Sequence, residues 1–288
     1  MAMKPSERSV YSAIVDRPVR TLPEGVRMVV WPILNVEVWE IERPMPRTVL
    51  TPPLGVSLLP DVANWAWHEY GMRVGFWRLK DTLDRMGIRP TLSINGRVAE
   101  VYPRIARAAV DGGWELMAHS YVQLPMHKLE SERDAIHRAL DTLEKFGGKR
   151  PVGWLGPGLT ETYDTPDLLA EAGVKYVGDW PYDDEPTEIS TAHGPLVTLP
   201  YSVELNDIPV VSLQHHPPKY FLQKIHDAFE RLYAESASRP KFMSIAFHPY
   251  LSGTPHQIKY LEGALEHAAR HPGVVFWNGE QILRWYRS

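Results

Sequence analysis

Short apolar runs that do not alternate in polarity recur along the chain, and most are separated by stretches of helical spacing. Runs of this kind bury both faces, so they read as strands of a parallel sheet covered by helices. They are Arg27–Glu37, Pro90–Asn95, Trp114–Ala118, Pro151–Leu155, Lys175–Gly178, a short one at Leu196–Leu199, Phe242–Phe247 and Val274–Trp277. Helices are predicted over Ala99–Val110, 129–146, Pro166–Ala172, 218–236 and 256–270, with a last one from Gly279. Tyr70–Gly87 is also helical, because Val74, Trp77, Leu79, Leu83 and Met86 roughly follow that spacing and Gly87 suits the stop. Seven or eight βα units without a composition break favour an α/β barrel, whole or incomplete, over an open doubly wound sheet. Gly156-Pro157-Gly158 contains a proline and does not lead directly into a helix, so a glycine-rich nucleotide loop is disfavoured.

Residues 1–25 read as an irregular lead-in, with Arg17-Pro18 and Leu22-Pro23 discouraging helix, and residues 26–288 as the barrel. Residues 41–68 hold five prolines and no clear period, which predicts a long loop that is functional or faces a partner. The 26 prolines and 10 tryptophans of the whole chain point to long ordered loops around the scaffold. A net charge of -4 gives no electrostatic case for nucleic acid or an anionic membrane as partner. The absence of cysteine excludes disulfides, thiolate metal sites and a cysteine nucleophile. The polar N-terminus and the lack of a long apolar run make a cytoplasmic location the expectation.

In barrels of this type the site forms at the C-terminal strand ends, which here carry Asn35, Glu37, Asn95, His119, Trp154, Asp179 and His248, with Asn278 a weaker member. Any one of these alone reads best as a hydrogen-bonded loop anchor; the set together reads as an active site. A metal site is disfavoured. His119 has no histidine at i+2, i+3 or i+4, position 123 is glutamine, and His127 and His215-His216 read as loop residues. A metal-free hydrolase needs a base for water, an acid for the leaving nitrogen and donors for the oxyanion. Glu37 is a candidate base, its pKa expected to be raised by Trp31, Val38 and Trp39, and His248 a candidate acid. His119 would orient water or hold the oxyanion, and Asp179 would position a histidine or bind substrate N–H groups. These roles are interchangeable on the sequence. Trp65, Trp67, Trp154 and Trp180 either line the pocket or pack under the loops.

The chain resembles the polysaccharide deacetylase superfamily, within it the allantoinase and cyclic-imide hydrolase branch. The resemblance is carried by Asn35-Val-Glu37, Tyr70-Gly-Met-Arg-Val-Gly-Phe-Trp-Arg78, Ala118-His-Ser-Tyr121, Lys149-Arg-Pro-Val-Gly-Trp154 and Gly178-Asp-Trp-Pro-Tyr-Asp-Asp184. Leu199-Pro-Tyr-Ser-Val-Glu-Leu-Asn-Asp207 and Ser244-Ile-Ala-Phe-His-Pro-Tyr-Leu-Ser-Gly253 complete it. It implies a deformed (β/α)7 barrel in a single domain, hydrolysis of non-peptide carbon–nitrogen bonds, and a homo-oligomer. The sugar deacetylases of the superfamily carry an Asp-Asp pair where this chain has Glu37-Val38, and a His-x-x-x-His pair where it has His119 and Gln123. Their Arg-x-Pro segment is replaced by Trp154-Leu-Gly-Pro157. The resemblance therefore implies metal-independent opening of a small cyclic ureide or imide, with no cofactor. Asn35, Arg73, Trp154, Trp180, Tyr201, Asn206 and Asp207 are candidate substrate contacts. The rival readings are a metal-dependent N-deacetylase of an acetylated amino sugar, using zinc or another divalent ion, and a barrel that only binds a ligand. Retention of Glu37, His119, Asp179 and His248 together argues against the last.

Overall fold

The computed structural model describes residues 3–288. The first half runs α1 (Pro5–Arg8), β1 (Met28–Val36), α2 (Val62–Tyr70), a π-helical turn at Gly71–Gly75, α3 (Phe76–Arg85), β2 (Thr91–Ile94), α4 (Val98–Val101), α5 (Pro103–Asp111), β3 (Glu115–Ala118) and α6 (Glu132–Gly147). Then come β4 (Gly153–Trp154), α7 (Thr165–Glu171), β5 (Tyr176–Val177), β6 (Thr187–Ile189) and β7 (Leu196–Thr198). The chain closes with α8 (Pro218–Glu235), β8 (Lys241–Phe247), α9 (Ile258–Ala269), β9 (Val274–Phe276) and α10 (Gly279–Tyr286). No helix among the described residues is long and apolar enough to cross a membrane.

Seven strands lie parallel in the order β8-β1-β2-β3-β4-β5-β7, with β9 pairing the start of β1 and β6 antiparallel on the outer edge of β7. The sheet curls into an incomplete barrel, in agreement with the deformed (β/α)7 expectation. The gap lies between β7 and β8. It is bridged by the Ser202 N–H donating to Ser244 Oγ (2.6 Å) and by an isolated bridge from Asn206 to Ala246.

The period of two along each strand divides the core. Val29, Trp31 and Ile33 of β1, Met117 of β3, Tyr176 of β5, Val197 of β7 and Phe242 and Ala246 of β8 pack together inside the curl. Their neighbours Val30, Leu34, Leu92, Ala118, Trp154, Val177, Met243 and Ile245 face the helices. Deep in the interior, Trp31 Nε1 donates to Thr91 Oγ1 (2.7 Å), whose hydroxyl donates to Glu115 Oε2 (2.7 Å), while Tyr176 donates to Glu115 Oε1 (2.6 Å). Burial raises the Glu115 carboxyl from 4.5 to about 7, despite these hydrogen bonds.

Two expectations are corrected and a third is extended. The loop of 41–68 ends early, because Asp61 caps α2 through the Asn64 N–H (3.2 Å) and the helix starts at Val62. The helix of 99–110 is two pieces, broken at Tyr102 (φ -124°) ahead of Pro103. The lead-in of 1–25, though irregular over most of its length, is anchored: Arg8 is buried, paired with Asp167 (2.7 Å) and donating to Tyr163 O (2.7 Å).

Candidate active site

The interior parity of the strands carries on past their C-terminal ends, where apolar side chains give way to polar ones. Asn35 and Glu37 continue the inward register of β1, Asn95 that of β2, His119 that of β3 and His248 that of β8. The Asn95 amide ties these ends together. Its Oδ1 accepts the Val38 N–H (2.9 Å), and its Nδ2 donates to the His119 carbonyl and to Gln123 Oε1 (3.1 Å).

Glu37 is the centre of the cluster and only 5% exposed. His119 Nε2 and His248 Nε2 each lie 3.8 Å from its Oε1, beyond a direct hydrogen bond. Gln123 Nε2 donates to the same oxygen (2.9 Å), and Trp39 Nε1 donates to Oε2 (2.7 Å). Burial alone would raise this carboxyl, but the two imidazoles and the Trp39 N–H outweigh it and hold Glu37 down at about 2. The expected upward shift from Trp31, Val38 and Trp39 is therefore reversed. Trp39 turns a donor toward the carboxylate instead of an apolar face, Trp31 lies deeper in the curl, and Val38 packs on the helix side.

Each histidine presents Nε2 to the site because its Nδ1 is engaged behind. His119 Nδ1 meets the Leu155 carbonyl at 2.6 Å, and His248 Nδ1 meets Asp207 Oδ1 at 2.6 Å. Asp207 is fully buried, and its Oδ2 also accepts the His248 N–H (2.8 Å) and the Ser252 hydroxyl (2.7 Å). Ser120, directly after His119, is held at φ +57°, a left-handed conformation that strains a residue with a Cβ and fixes the turn of the chain there.

Aromatic rings wall the open side of Glu37. Trp39 stacks on His68 (4.4 Å between centroids) and meets Trp67 and Tyr250 edge-on, while the Tyr250 hydroxyl points at Glu37 Oε2 (3.4 Å). Burial and the Glu37 charge raise Tyr250 well above the usual phenol range, so it stays a donor. His68 was not anticipated, since it fell within the predicted loop. It is fully buried, burial lowers it to about 4, and neither ring nitrogen has a hydrogen-bond partner among the described residues. Asn35 Nδ2 and Ser93 Oγ, on paired positions of β1 and β2, are likewise unpartnered. Trp65 and Trp67 pack on this aromatic cluster.

Several expected residues do other work. Asp179 accepts the Gly156 N–H (2.7 Å) and makes no hydrogen bond to a histidine among the described residues; the carboxylate that meets a histidine is Asp207, both of whose oxygens are engaged within the fold. Burial and then the neighbouring Glu161 charge push Asp179 well above its ordinary value, and burial carries Glu161 to about 7. Trp154 faces the helices, because it has the wrong parity for the pocket. Arg73 is exposed and pairs with Glu69 (3.3 Å). Asn206 donates to the Tyr201 hydroxyl (2.8 Å) and accepts the Ile208 N–H (2.8 Å), which fixes the turn. Tyr201 fills the interior, and Trp180 donates to Glu161 (3.0 Å).

The donor set does not suit the divalent metal that the sugar deacetylases imply. Val38 is turned into the helix-side core, and the Gln123 amide is used up between Glu37 and Asn95, leaving His119 as the one member of that ligand set in place; Glu37, His119 and His248 do not bring three ligand atoms within 4.8 Å of one another.

Residues 67–177 match the model of the polysaccharide deacetylase family. Among solved structures, a probable polysaccharide deacetylase from Pseudomonas aeruginosa PAO1 is 29% identical with a TM-score of 0.84, covering 94% of this chain and 95% of the other. The Puue allantoinase is 27% identical with a TM-score of 0.83, covering 94% of each chain. A peptidoglycan deacetylase of Helicobacter pylori is 25% identical over 70% of this chain and 80% of its own length.

Proposed function

We propose, from the premise that this chain belongs to the polysaccharide deacetylase family of hydrolases acting on non-peptide carbon–nitrogen bonds, that it opens a small cyclic amide, a ureide or imide, without a metal. The observation that carries this reading is the convergence of His119 Nε2 and His248 Nε2 on one oxygen of an ionised Glu37, with Gln123 engaged where a second metal histidine would stand. The near-complete burial of Glu37, His119 and His248 suits a compact substrate that is enclosed, rather than a polymer laid in an open groove.

Glu37, at about 2, is a poor base near neutrality, so the proton-transfer group is His248, oriented by Asp207 as a histidine–carboxylate dyad. Water is held between the two imidazoles; His119 Nε2 accepts one of its hydrogens and His248 Nε2 takes the other proton as the oxygen attacks the ring carbonyl. The Glu37 charge stabilises the imidazolium so formed. Asn35 Nδ2, a buried donor without a partner, is the group assigned to the developing oxyanion, and the Tyr250 hydroxyl, held only by a long contact to Glu37 Oε2 (3.4 Å), can turn to it as a second donor. The carbon–nitrogen bond then breaks, and the leaving nitrogen takes the proton from His248. The names of the curated relatives favour a second reading, an N-deacetylase, and the loss of the metal donors weighs against it.

The test is turnover on allantoin, a hydantoin, dihydrouracil, succinimide and an N-acetylated amino sugar, with and without a strong chelator. Ring opening that survives the chelator is the expected result. Deacetylation that needs added zinc, with no ring opening, would overturn it.

A further inference from the structure

The outer helices α8 and α9 carry a second cluster of ligating side chains, remote in sequence from Glu37 and His119. His226 and Glu230 stand one turn apart on one face of α8, while His267 lies in the last turn of α9 and His271 two residues past its end, where the chain brings its ring back beside His267. His267 Nε2 lies 2.7 Å from Glu230 Oε1 and His271 Nε2 lies 3.9 Å from the same oxygen, and one ligand atom from each of the three falls within 4.8 Å of the others. Two imidazoles and a carboxylate on tetrahedral zinc, with bonds of about 2.0–2.2 Å, have donor atoms roughly 3.3 Å apart, so small side-chain rotations satisfy the geometry.

We propose that Glu230, His267 and His271, with His226 as a fourth donor, form a binding site for Zn²⁺ that staples α8 to α9. Three further observations point the same way. His271 Nδ1 meets the His267 carbonyl at 2.8 Å, which leaves Nε2 with the free lone pair, the outer hydrogen bond that orients most metal-bound histidines. His226 Nε2 is buried with no hydrogen-bond partner among the described residues, and its ring lies 4.3 Å from that of His267. Phe229 and Tyr233 hold the imidazoles by ring contacts of 4.7 Å (Phe229 to His271) and 4.8 Å (Tyr233 to His271), so part of the ordering is already in place. The imidazole-rich donor set selects zinc and its neighbours over magnesium or calcium. The staple would join the helices that flank β8 in sequence, the strand that leads into His248.

The test uses the full chain, stripped by a chelator and desalted, then titrated with zinc chloride while thermal unfolding is followed. The expected result is saturable uptake of one zinc at this site and a midpoint raised by several degrees, both lost in His271→Ala and the affinity lowered at least tenfold in Glu230→Gln. Should His271→Ala fail to fold, Glu230→Gln alone makes the comparison, since that side chain is 57% exposed. Cobalt(II) should give the intense visible bands of a four-coordinate ion in the wild type. Weak six-coordinate bands only, no saturable zinc uptake, or uptake and stabilisation unchanged in both variants would each overturn the site and leave an ordinary surface ion pair.

Discussion

Glu37 meets both imidazoles of the proposed site through a single oxygen, and its ionisation determines which group a pH profile can report. With its pKa held at about 2, it is anionic throughout the working range. No limb of kcat/KM near neutral pH should therefore belong to Glu37. Glu37→Gln should lower kcat by about 10²-fold or more, because the charge that stabilises the imidazolium formed in the reaction is gone; an unchanged kcat would argue against that role. Glu37 also stabilises the fold at neutral pH. That contribution is full above its ordinary value of 4.5 and is lost as pH falls toward 2. Glu115 acts in the opposite sense. Its carboxyl, raised to about 7, is protonated in the fold where the unfolded chain is ionised, so stability declines as pH rises from 4.5 to 7, by on the order of 3 kcal/mol. Glu115→Gln should flatten that decline in urea titrations at pH 5 and 8. Asp207→Asn would leave His248 in the wrong tautomer, and kcat should fall about 10³-fold or more with KM little changed. That Glu37, His119 and His248 come together was legible in the sequence, because each stands where an apolar run turns polar. That Asp207 rather than Asp179 meets a histidine was not, because which carboxylate reaches one depends on how a loop folds back.

At the scale of elements, every strand but β6 was readable from its apolar run, and so was the helix before β2 from Tyr70 to Gly87. Its α2 portion was not, hidden by the proline-rich stretch ahead of it, and the predicted helix ran through two glycines, Gly71 and Gly75, with no helical rationale of their own. The structure supplies one. A Cβ on Gly71 would sit 2.6 Å from the Tyr250 backbone nitrogen, and one on Gly75 would sit 2.1 Å from the Pro249 carbonyl oxygen. The helix is pressed backbone to backbone against the loop that follows His248, and Arg78 donates to the Gly253 carbonyl across the same contact. Gly71→Ala should destabilise the fold by about 1–3 kcal/mol, read as a lower thermal midpoint. It should also lower kcat in the surviving fold, because the displaced loop carries Tyr250.

At the scale of the molecule, a barrel that curls without closing was anticipated, but the position of the gap was not. The joint between β7 and β8 is made by a serine pair and a single bridge, and neither leaves a periodic mark in the sequence. Ser244→Ala removes the side-chain half of that joint and should cost about 1 kcal/mol, measurable as a shift in denaturation midpoint with unchanged slope.

The π-helical turn at Gly71–Gly75 has a consequence in the currency of insertions and deletions. Such a turn holds one residue more than the α-helical count, so α2 and α3 are out of phase by about 100°. Deleting Val74 alone would restore a continuous α-helix and swing α2 by that angle, carrying His68 off the Trp39 ring and Asn64 away from the backbone of Val49 and Leu50. A single codon lost there should unmake the aromatic wall while leaving the parallel strands intact, a dissociation that tryptophan fluorescence and far-ultraviolet circular dichroism would separate.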